Sequence, residues 1–309
     1  MTTPMLSRRQ AMIAGAALPL IPAFAGPAMA AAPLQGAGSA LFNRFKLGGF
    51  EVTALLAGTR TSDKPQETFG LNATPEEFAA LSAAAFIPAD KTQNFFTPTL
   101  VNTGSELILF DTGLAAEGTG AALAAAGVTP DQVDVVVLTH MHGDHIGGML
   151  TGDAPSFANA RYVTGAVEHN HWSGAANEGF DKNVKPFNDK MTFLDDGGTV
   201  APGITAMAAF GHSPGHMVYQ LDSDGQRLML TADTANHYIW SLARPDWEVR
   251  FDADKPAGAA TRKAVFGMIA ADRIPFIGYH MPFPALGYVE AQDGGFRYVP
   301  ASYQMLLNG

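Results

Sequence analysis

Short apolar runs recur along the chain and are separated by longer stretches that are rich in alanine. The runs Leu107–Phe110 and Val133–Leu138 are bounded by turn-forming residues, which is typical of strands buried inside a sheet. Stretches with helical character fall between such runs. The pattern therefore predicts an α/β chain in which strands and helices alternate.

Local signals place three of the helices. Thr74, Pro75 and Glu77 form the pattern of a capping box ahead of an alanine-rich segment, which predicts that a helix begins there. A second helix is predicted for "GTGAALAAAG", which stops at Gly127, and a third for residues 254–273.

Two predicted strands end beside residues that can carry chemistry. Alternating runs flank Asp224 and Gly225, which is the turn signal of a β-hairpin, and the second strand of this hairpin ends at Asp233. Another strand ends at Thr139 and is followed at once by "HMHGDH". We therefore expect a histidine cluster in the loop at the carboxyl end of a buried strand.

Composition and charge narrow the class of protein. With 309 residues, of which 47% are hydrophobic, the chain can bury one large core, and no linker divides it. The formal net charge of −10 argues against nucleic acid and anionic membranes as partners. There is no cysteine, which excludes disulfides, thiolate metal ligands and cysteine nucleophiles. A metal site would have to use nitrogen and oxygen ligands.

The beginning of the chain has the pattern of an export signal. Arg8 and Arg9 precede an apolar run that ends in the small residues of Ala28–Ala30. The run is short for a bilayer span of about 20 residues and is interrupted by prolines, which argues against a membrane anchor. We expect a twin-arginine signal peptide over residues 1–32 and one domain over residues 33–309. The mature protein would be periplasmic or secreted, without membrane contact after cleavage.

The segment "LTHMHGDHIGGM" holds three of the nine histidines of the chain. His140, His142, Asp144 and His145 follow the spacing H-x-H-x-D-H, which lets the side chains of one loop diverge into two groups. A single zinc ion needs three or four ligands, so four from one loop, with more histidines and an aspartate at later strand ends, exceed the needs of one ion. The sequence therefore predicts two metal ions rather than a solvated polar loop. The glycines that we expect to supply the tight turns of this loop are Gly143, Gly147 and Gly148.

Four motifs resemble those of the metallo-β-lactamase family. They are "THMHGDHIGG", "GHSPGH" from Gly211, "TAD" from Thr231 and "GYHMPFP" around His280. The resemblance covers most of the chain after the signal and implies the α/β fold of that family, a four-layer αβ/βα sandwich with two mixed β-sheets flanked by helices. Within the family, the tail "HMPFPALGYVEAQDGGFRYVPASY" is similar to the ending of the methyl parathion hydrolase-like group.

The resemblance also implies seven metal ligands. One ion would be held by His140, His142 and His212, the other by Asp144, His145 and His280, and Asp233 would bridge them. Imidazoles and carboxylates suit two zinc ions, with manganese, cobalt or iron as alternatives. Such a pair can share a water and lower its pKa, so that a metal-bridging hydroxide attacks the substrate. Asp233 would hold the ion pair and Asp144 could take up a proton, which makes them the expected catalytic carboxylates.

Other polar residues are expected to support the site. Asp111 has a family counterpart behind the first metal, where a carboxylate orients a ligand imidazole. In "GHSPGH" the family places the ligand at His212, so His216 is expected to lie behind the ligands. The histidines that match no ligand motif, and that we expect at the surface or in hydrogen bonds, are His169, His171 and His237.

Aromatic residues near the motifs predict an apolar, neutral pocket. The candidates for substrate contact are Trp172, Phe95, Phe96, Phe180 and Phe187. The segment "EHNHW" matches a tryptophan-bearing stretch of organophosphate-hydrolysing relatives, which singles out Trp172, whereas core packing is the alternative for each of the five. Such a pocket favours lactones, aryl esters or organophosphate triesters over phosphomonoesters, which would need arginines or lysines.

These features together predict an exported dinuclear zinc hydrolase of neutral small-molecule esters, and the methyl parathion hydrolase-like ending suggests a homodimer. β-Lactamase activity is a weaker hypothesis, because the β-lactamases that keep H-x-H-x-D-H generally lack the bridging aspartate. Well-known acyl-homoserine lactonases have a tyrosine three residues after that aspartate, where this chain has Asn236. Two further hypotheses are a mononuclear iron dioxygenase of the same fold and a metal-binding protein without catalysis.

Overall fold

Strands and helices alternate along residues 37–307, the part of the chain that the computed structural model describes. Every element below belongs to one compact unit that begins at Ala40. The export signal predicted over residues 1–32 lies outside the described residues and, with the domain boundary that follows it, stays a prediction. Among the described helices, none is both long enough and apolar enough to cross a bilayer.

The described residues form eighteen strands and seven α-helices. The strands are β1 (Phe42–Leu47), β2 (Phe50–Leu55), β3 (Gly58–Asp63), β4 (Lys91–Phe96), β5 (Thr99–Asn102), β6 (Leu107–Phe110), β7 (Val135–Leu138), β8 (Leu150–Thr151), β9 (Ala154–Pro155), β10 (Arg161–Gly165), β11 (Met191–Leu194), β12 (Thr199–Ala201), β13 (Ile204–Ala208), β14 (Met217–Ser223), β15 (Gln226–Ala232), β16 (Phe276–Gly278), β17 (Leu286–Gln292) and β18 (Gly295–Pro300). The helices are α1 (Pro75–Ala84), α2 (Ala116–Ala125), α3 (Gly143–Ile146), α4 (Ala166–Gly174), α5 (Glu178–Asn183), α6 (Trp240–Ala243) and α7 (Lys255–Asp272).

Two seven-stranded sheets carry the fold. The first has the strand order β1-β2-β5-β6-β7-β10-β11, and the second runs in chain order from β12 to β18. In the first sheet β6, β7, β10 and β11 pair in parallel, whereas β1, β2 and β5 pair antiparallel. In the second sheet β15 and β16 are parallel and the other neighbours are antiparallel. Both sheets are therefore mixed, and their parallel neighbours need crossover connections.

Strand β7 shows why the sequence has short, wholly apolar runs. Its residues Val135 and Val137 pack into the core between the two sheets. Val136 and Leu138 point the other way and pack into a second core beneath the flanking helices. Because both faces are buried, every position of the strand is apolar. The buried strand that the sequence predicts here is confirmed.

Helices cover the outer face of each sheet. Leu123 of α2 and Phe180 of α5 belong to the core on the outer side of the first sheet. On the second sheet Phe266 of α7 packs its ring against Phe276 of β16, with ring centroids 5.3 Å apart. The predicted four-layer αβ/βα sandwich of two mixed sheets flanked by helices is confirmed.

The capping and turn signals of the sequence are also confirmed. The Thr74 hydroxyl accepts a hydrogen bond from the Glu77 backbone N–H at 3.2 Å, and the Glu77 carboxylate accepts one from the Thr74 backbone N–H at 2.9 Å. Between β14 and β15, Asp224 and Gly225 have φ values of 50° and 74°. Two consecutive positive φ values are what a two-residue hairpin turn of type I′ requires.

Four loops that carry candidate metal ligands leave the sheets at one edge. Strand β16 runs parallel to β15, and β13 runs in the same direction, because β14 lies antiparallel between β13 and β15. The carboxyl ends of these three strands therefore share an edge. The loop after β7 meets them there, since the Met217 backbone N–H donates a hydrogen bond to the Thr139 carbonyl oxygen at 3.0 Å.

Two glycines of α2 are expected to respond to alanine in opposite directions. A Cβ at Gly118 would lie 1.9 Å from the Ala57 carbonyl oxygen, whereas a Cβ at Gly120 would have no neighbour within 4 Å. Gly118→Ala should lower the free energy of unfolding by about 1–3 kcal/mol through overpacking. Gly120→Ala should raise it by about 0.5–1 kcal/mol, because alanine has the higher helix propensity. Urea denaturation measures both, and a shift in the same direction for the two variants would contradict this packing.

Candidate metal centre

All seven expected ligands lie at this edge of the sheets and form two groups. Within each group, the candidate ligand atoms lie within 4.8 Å of one another. The first group contains His140, His142, His212 and Asp233, and the second contains Asp144, His145 and His280. The loop after β7 contributes to both groups, divided as the H-x-H-x-D-H spacing suggested. That these side chains bind metal stays a prediction.

The short helix α3 explains how one loop serves two groups. His142 precedes the helix as its N-cap in extended conformation, with φ −68° and ψ 151°, and Asp144 and His145 lie within the helix. The change from extended to helical backbone redirects the later pair of side chains relative to the earlier pair.

Asp233 lies between the two groups. Its Oδ1 is 3.2 Å from His145 Nε2, and its Oδ2 is 3.1 Å from His280 Nε2. The same Oδ2 lies 3.3 Å from His212 Nε2. The side chain is 3% exposed, so its negative charge is shielded from water. Burial alone would raise the pKa of Asp233, but His280 and His145 hold it well below its usual value.

The buried donor atoms fit divalent metal ions. His145 Nε2 and Asp233 Oδ1 are buried and lie 3.2 Å apart, but neither makes a well-formed hydrogen bond to the other or to any other described residue, a costly state for polar atoms unless another group binds them. Burial lowers the pKa of His145, but Asp233 and Asp111 outweigh it and raise that pKa well above the usual value. A centre of imidazole nitrogens and carboxylate oxygens suits zinc, manganese, cobalt or iron.

Hydrogen bonds to the second ring nitrogen orient four of the five ligand imidazoles. His145 Nδ1 contacts Asp111 Oδ2 at 2.8 Å, and His280 Nδ1 contacts the Phe95 carbonyl oxygen at 2.8 Å. His140 Nδ1 contacts the Thr139 hydroxyl at 3.1 Å. The fourth, His212, is described below. In each case Nε2 is left to face the centre, as expected for oriented metal ligands.

His142 differs from these four histidines. It presents Nδ1 to the centre, 3.0 Å from both His140 Nε2 and His212 Nε2. Burial lowers the pKa of His142 to about 4, which keeps the imidazole neutral and its nitrogen lone pair free at neutral pH.

Asp111 reaches both groups of ligands. It was expected behind the first metal, but its direct contact is with His145 of the second group. The Thr139 hydroxyl donates a hydrogen bond to Asp111 Oδ2 at 2.9 Å and also contacts His140, which extends the contact to the first group. Asp111 has a φ of 61°, a left-handed conformation that is strained for a residue with a side chain.

Sequence reasoning missed Asp252, which orients His212. Its Oδ1 lies 3.0 Å from His212 Nδ1, and its Oδ2 accepts a hydrogen bond from Arg262 Nη2 at 2.9 Å. Arg262 is 1% exposed although it lies in the amphipathic helix α7. A buried arginine needs a carboxylate partner. The one sequence signal for Asp252 was therefore the position of Arg262 on the apolar side of a predicted helix.

His216 lies behind the ligands rather than among them. Its Nδ1 contacts the Ala209 carbonyl oxygen at 3.1 Å, and its Nε2 accepts a hydrogen bond from the Asp233 backbone N–H at 3.1 Å. Burial lowers the pKa of His216 to about 3, so the ring is neutral and can accept that bond. His216 therefore positions the backbone of Asp233.

Glu168 is a second residue that sequence reasoning missed. Its fully buried carboxylate accepts hydrogen bonds from the Met141 backbone N–H at 3.0 Å and from the Gly215 backbone N–H at 2.8 Å. The Ser213 hydroxyl donates to the same carboxylate at 2.6 Å, and Trp172 Nε1 does so at 2.6 Å. Glu168 thus fastens the loop that carries His140 and His142 to the loop that carries His212.

Two glycines of the histidine loop allow close approach of the backbone as well as a tight turn. A Cβ at Gly147 would lie 2.1 Å from the Leu114 carbonyl oxygen, and one at Gly148 would lie 2.0 Å from that of Thr112. Neither glycine has a positive φ, and a Cβ at Gly143 would have no neighbour within 4 Å. Gly147 and Gly148 nevertheless lie at the centre of a tight turn, as expected, because the Met149 backbone N–H donates a hydrogen bond to the Ile146 carbonyl oxygen at 3.2 Å. Gly143 lies instead within α3, so the expectation is wrong for that residue.

A cavity of about 380 Å³ opens beside the two groups. Its apolar lining includes Phe96, Phe69 and Phe251, and its polar lining includes Arg60 and Asn236. The expectation of a neutral pocket is corrected by Arg60, whose guanidinium lies 5.8 Å from the Phe96 ring centroid. Phe96 was expected at the pocket, whereas Phe69 and Phe251 were not, because they belong to no motif.

The remaining aromatic candidates lie elsewhere. Phe180 and Phe187 are 2% and 4% exposed and belong to the core beneath the helices, so their assignment to the substrate pocket is wrong. Large aromatic side chains gain most from such burial. Phe95 lines a neighbouring cavity. Trp172 packs edge-on against His142, with ring centroids 5.9 Å apart, but does not line the pocket.

The three histidines without a ligand motif are separate from the two groups. His169 contacts Asn188 Oδ1 through Nε2 at 3.0 Å, and His171 lies exposed on α4. His237 is buried against Trp240, with ring centroids 3.9 Å apart. Their expected exclusion from the centre agrees with this geometry.

Comparison with known proteins identifies a family and relatives for part of the chain. Residues 97–268, more than half of the chain, match the model of the metallo-beta-lactamase superfamily. The probable metallo-hydrolase YybB of Bacillus subtilis (strain 168) is 29% identical over 141 residues, which are 43% of this chain and 59% of YybB. An atrochrysone carboxyl ACP thioesterase of Passalora fulva is 31% identical over 141 residues, 44% of this chain and 36% of the thioesterase. The chain thus spans less than two thirds of either relative.

Solved structures share the fold over most of the chain. AidC, a dizinc quorum-quenching lactonase solved in complex with a product, superposes with a TM-score of 0.78 and 24% identity, over 86% of this chain and 100% of AidC. The hydrolase AbOPH superposes with a TM-score of 0.79 and 23% identity, over 87% of this chain and 100% of AbOPH. At this level of identity the likeness shows the fold.

Glu168→Gln should weaken metal binding without unfolding the chain. The amide keeps the shape of the carboxylate but can accept at one oxygen only, so the loops that carry His142 and His212 lose part of their common anchor. We expect metal affinity to fall about 10–100-fold, measured by competition with a chromophoric chelator. Glu178→Gln, at an exposed position on α5, is the matched control and should bind as the wild type does. Wild-type affinity in Glu168→Gln would contradict the anchoring role.

Proposed function

Because the chain belongs to the metallo-β-lactamase superfamily and is a metal-dependent hydrolase, we propose that it is a dinuclear zinc hydrolase of neutral esters. Lactones or aryl esters are the proposed substrates, with organophosphate triesters as further substrates. The observation that carries the proposal is the position of Asp233, within 3.3 Å of imidazoles from both ligand groups. A carboxylate in that position suits two ions better than one.

The side chains divide into two binding sets around Asp233. The first ion would be held by His140, His142 and His212, the second by Asp144, His145 and His280, with Asp233 shared between them. Bound zinc ions would supply polarisation of the ester oxygen and activation of water. The chain supplies the fixed geometry, because hydrogen bonds hold most of the ligand rings from behind.

Asp144 is the carboxylate that can exchange a proton with the substrate. Its side chain is 23% exposed and lines the cavity, whereas Asp233 is 3% exposed and accepts a hydrogen bond from Asn236 Nδ2 at 2.9 Å. Tyr279 donates a hydrogen bond from its hydroxyl to the Asp144 backbone carbonyl at 2.5 Å, which fixes the residue in the cavity wall. Asp144 Oδ2 faces the imidazoles of His145 and His280, so we assign to the other carboxylate oxygen of Asp144 the uptake of a proton from the attacking water and its return to the leaving group.

The cavity supports esters with apolar substituents. Phe69, Phe96 and Phe251 offer ring surface for an acyl chain or an aryl group. Arg60 at the same cavity offers hydrogen bonds to a carbonyl or phosphoryl oxygen of a neutral substrate. The fold likeness to AidC and AbOPH supports hydrolysis of a lactone or another small ester.

Further parts of the proposal rest on sequence features. The tail after His280 supports membership in the methyl parathion hydrolase-like group, and that likeness supports a homodimer. Arg8 and Arg9 support export through a twin-arginine signal over residues 1–32, with the hydrolase domain over residues 33–309 in the periplasm or secreted. The formal net charge of −10 supports small molecules, and not nucleic acid, as partners.

One preparation of the purified protein tests metal content and activity together. Elemental analysis should find two zinc-like ions per chain, and the same sample should turn over a neutral lactone, an aryl ester or methyl parathion. The competing hypothesis of a mononuclear iron dioxygenase predicts one iron, oxygen consumption and no hydrolysis. That result would refute the proposal, and hydrolysis of a β-lactam alone would refute the substrate class.

Asp233→Ala should remove activity and leave the fold. Loss of the shared carboxylate should lower kcat/KM for the best ester at least about 100-fold, while the circular dichroism spectrum remains that of the wild type. Asp153→Ala, at an exposed position between β8 and β9, is the matched control and should retain full activity. Unchanged hydrolysis in Asp233→Ala would refute the bridging role.

A further inference from the structure

A second cavity, of about 410 Å³, lies next to the metal centre and shares no lining residue with the first. Phe95, Tyr238 and Trp240 contribute aromatic surface to its wall, and Ile87 and Pro88 contribute aliphatic surface. Its volume falls within the range of about 300–1,000 Å³ that is usual for small-molecule sites. Nothing in the proposed hydrolysis uses this cavity.

His237 gives the cavity a directed ring N–H donor. Its Nδ1 accepts hydrogen bonds from the backbone N–H groups of Ile239 and Trp240, both at 3.2 Å. An atom that accepts two N–H bonds carries no proton, so the proton of the neutral ring is on Nε2. Burial lowers the pKa of His237 to about 3, which keeps the ring neutral.

The Nε2–H group of His237 has no hydrogen-bond partner among the described residues. The imidazole is stacked by Trp240 on its face and is occupied by backbone on its Nδ1 edge, so the Nε2 edge is the part left to line the cavity. The residue is 7% exposed. Nε2 is open to the cavity rather than sealed from it, so an acceptor atom of a ligand in the cavity can hydrogen-bond to it.

The charge of the lining is balanced. Lys91 lines the cavity, and its ammonium group pairs with Asp63 Oδ1 at 3.2 Å. Thr92 contributes a hydroxyl that is buried and without a partner, and it carries no charge. The wall therefore favours a neutral molecule over an anion or a cation.

The strand β4 lies between this cavity and the metal centre and contributes residues to both. Phe95 turns its ring to this cavity and its carbonyl oxygen to His280 Nδ1, while the next residue, Phe96, lines the first cavity. His237 follows Asn236, which contacts Asp233. An occupant would thus lie against the far side of two segments that hold metal ligands in place.

We propose that this cavity is a second small-molecule site, which binds a neutral aromatic or short alkyl compound through apolar contacts and one acceptor atom on the His237 Nε2–H group. The site is separate from the one at which esters are hydrolysed. Its ligand class is defined by the aromatic wall, the paired lysine and the N–H donor of His237, beside which the Thr92 hydroxyl is a second polar group.

Acetophenone is the probe, because it has one ring, one carbonyl acceptor and no hydrolysable bond. We expect the metal-loaded full-length protein to bind acetophenone about tenfold more tightly than isopropylbenzene, which has a similar shape but no acceptor, in calorimetric titrations. Equal affinities, or no binding of either compound, would overturn the assignment of the donor.

Two variants locate the binding. His237→Phe keeps a ring and removes the donor, so it should lower acetophenone affinity about tenfold. Gln93→Trp, on the outer wall of the cavity, should block it even if His237→Phe does not fold. Leu114→Ala, in the first cavity, is the control and should bind acetophenone as the wild type does. Loss of binding in Leu114→Ala alone would place acetophenone in the first cavity and refute the proposal.

Crystals soaked with 4-bromoacetophenone complete the test. The anomalous signal of bromine should appear between Phe95 and His237. A bromine peak beside Arg60, or a cavity filled by a neighbouring copy of this chain with no bromine in it, would overturn the proposal.

Discussion

The buried carboxylate of Asp233 sets the constraint on which the centre depends. It lies at the end of β15 with imidazoles from three other loops within 3.3 Å, and its side chain is 3% exposed. Such a cluster holds donor atoms that cannot satisfy one another, as the unpaired His145 Nε2 and Asp233 Oδ1 show. Divalent cations would resolve the conflict, because nitrogen and oxygen lone pairs that compete for protons can all bind metal.

The surrounding protein uses buried polar groups to hold the ligands still. Asp111, Asp252 and the Phe95 carbonyl each hold one imidazole, and the carboxylate of Glu168 joins two ligand-bearing loops. Without such contacts, nothing would fix the positions of these loops, which follow four different strands, relative to one another. The two sheets bring the loops to one edge, and these hydrogen bonds convert that proximity into a defined geometry.

Much of the fold and the ligand set could be predicted from local sequence. The apolar run of β7 and the turn at Asp224 and Gly225 each depend on neighbouring residues only, so pattern and turn chemistry were sufficient. The roles of Asp252 and Glu168 could not be predicted from local sequence. Asp252 lies 40 positions from His212 and Glu168 lies 45 positions from Ser213, so each pair meets only in the folded chain. Phe180 was misassigned because an aromatic side chain has the same sequence signature in a core and in a pocket.

Diffraction from crystals of the purified protein, recorded on both sides of the zinc absorption edge, tests the central claim most directly. The account predicts two anomalous peaks per chain, one among the imidazoles of the first group and one among Asp144, His145 and His280, with Asp233 between them. A single peak, or a peak that appears at the iron edge instead, would contradict it.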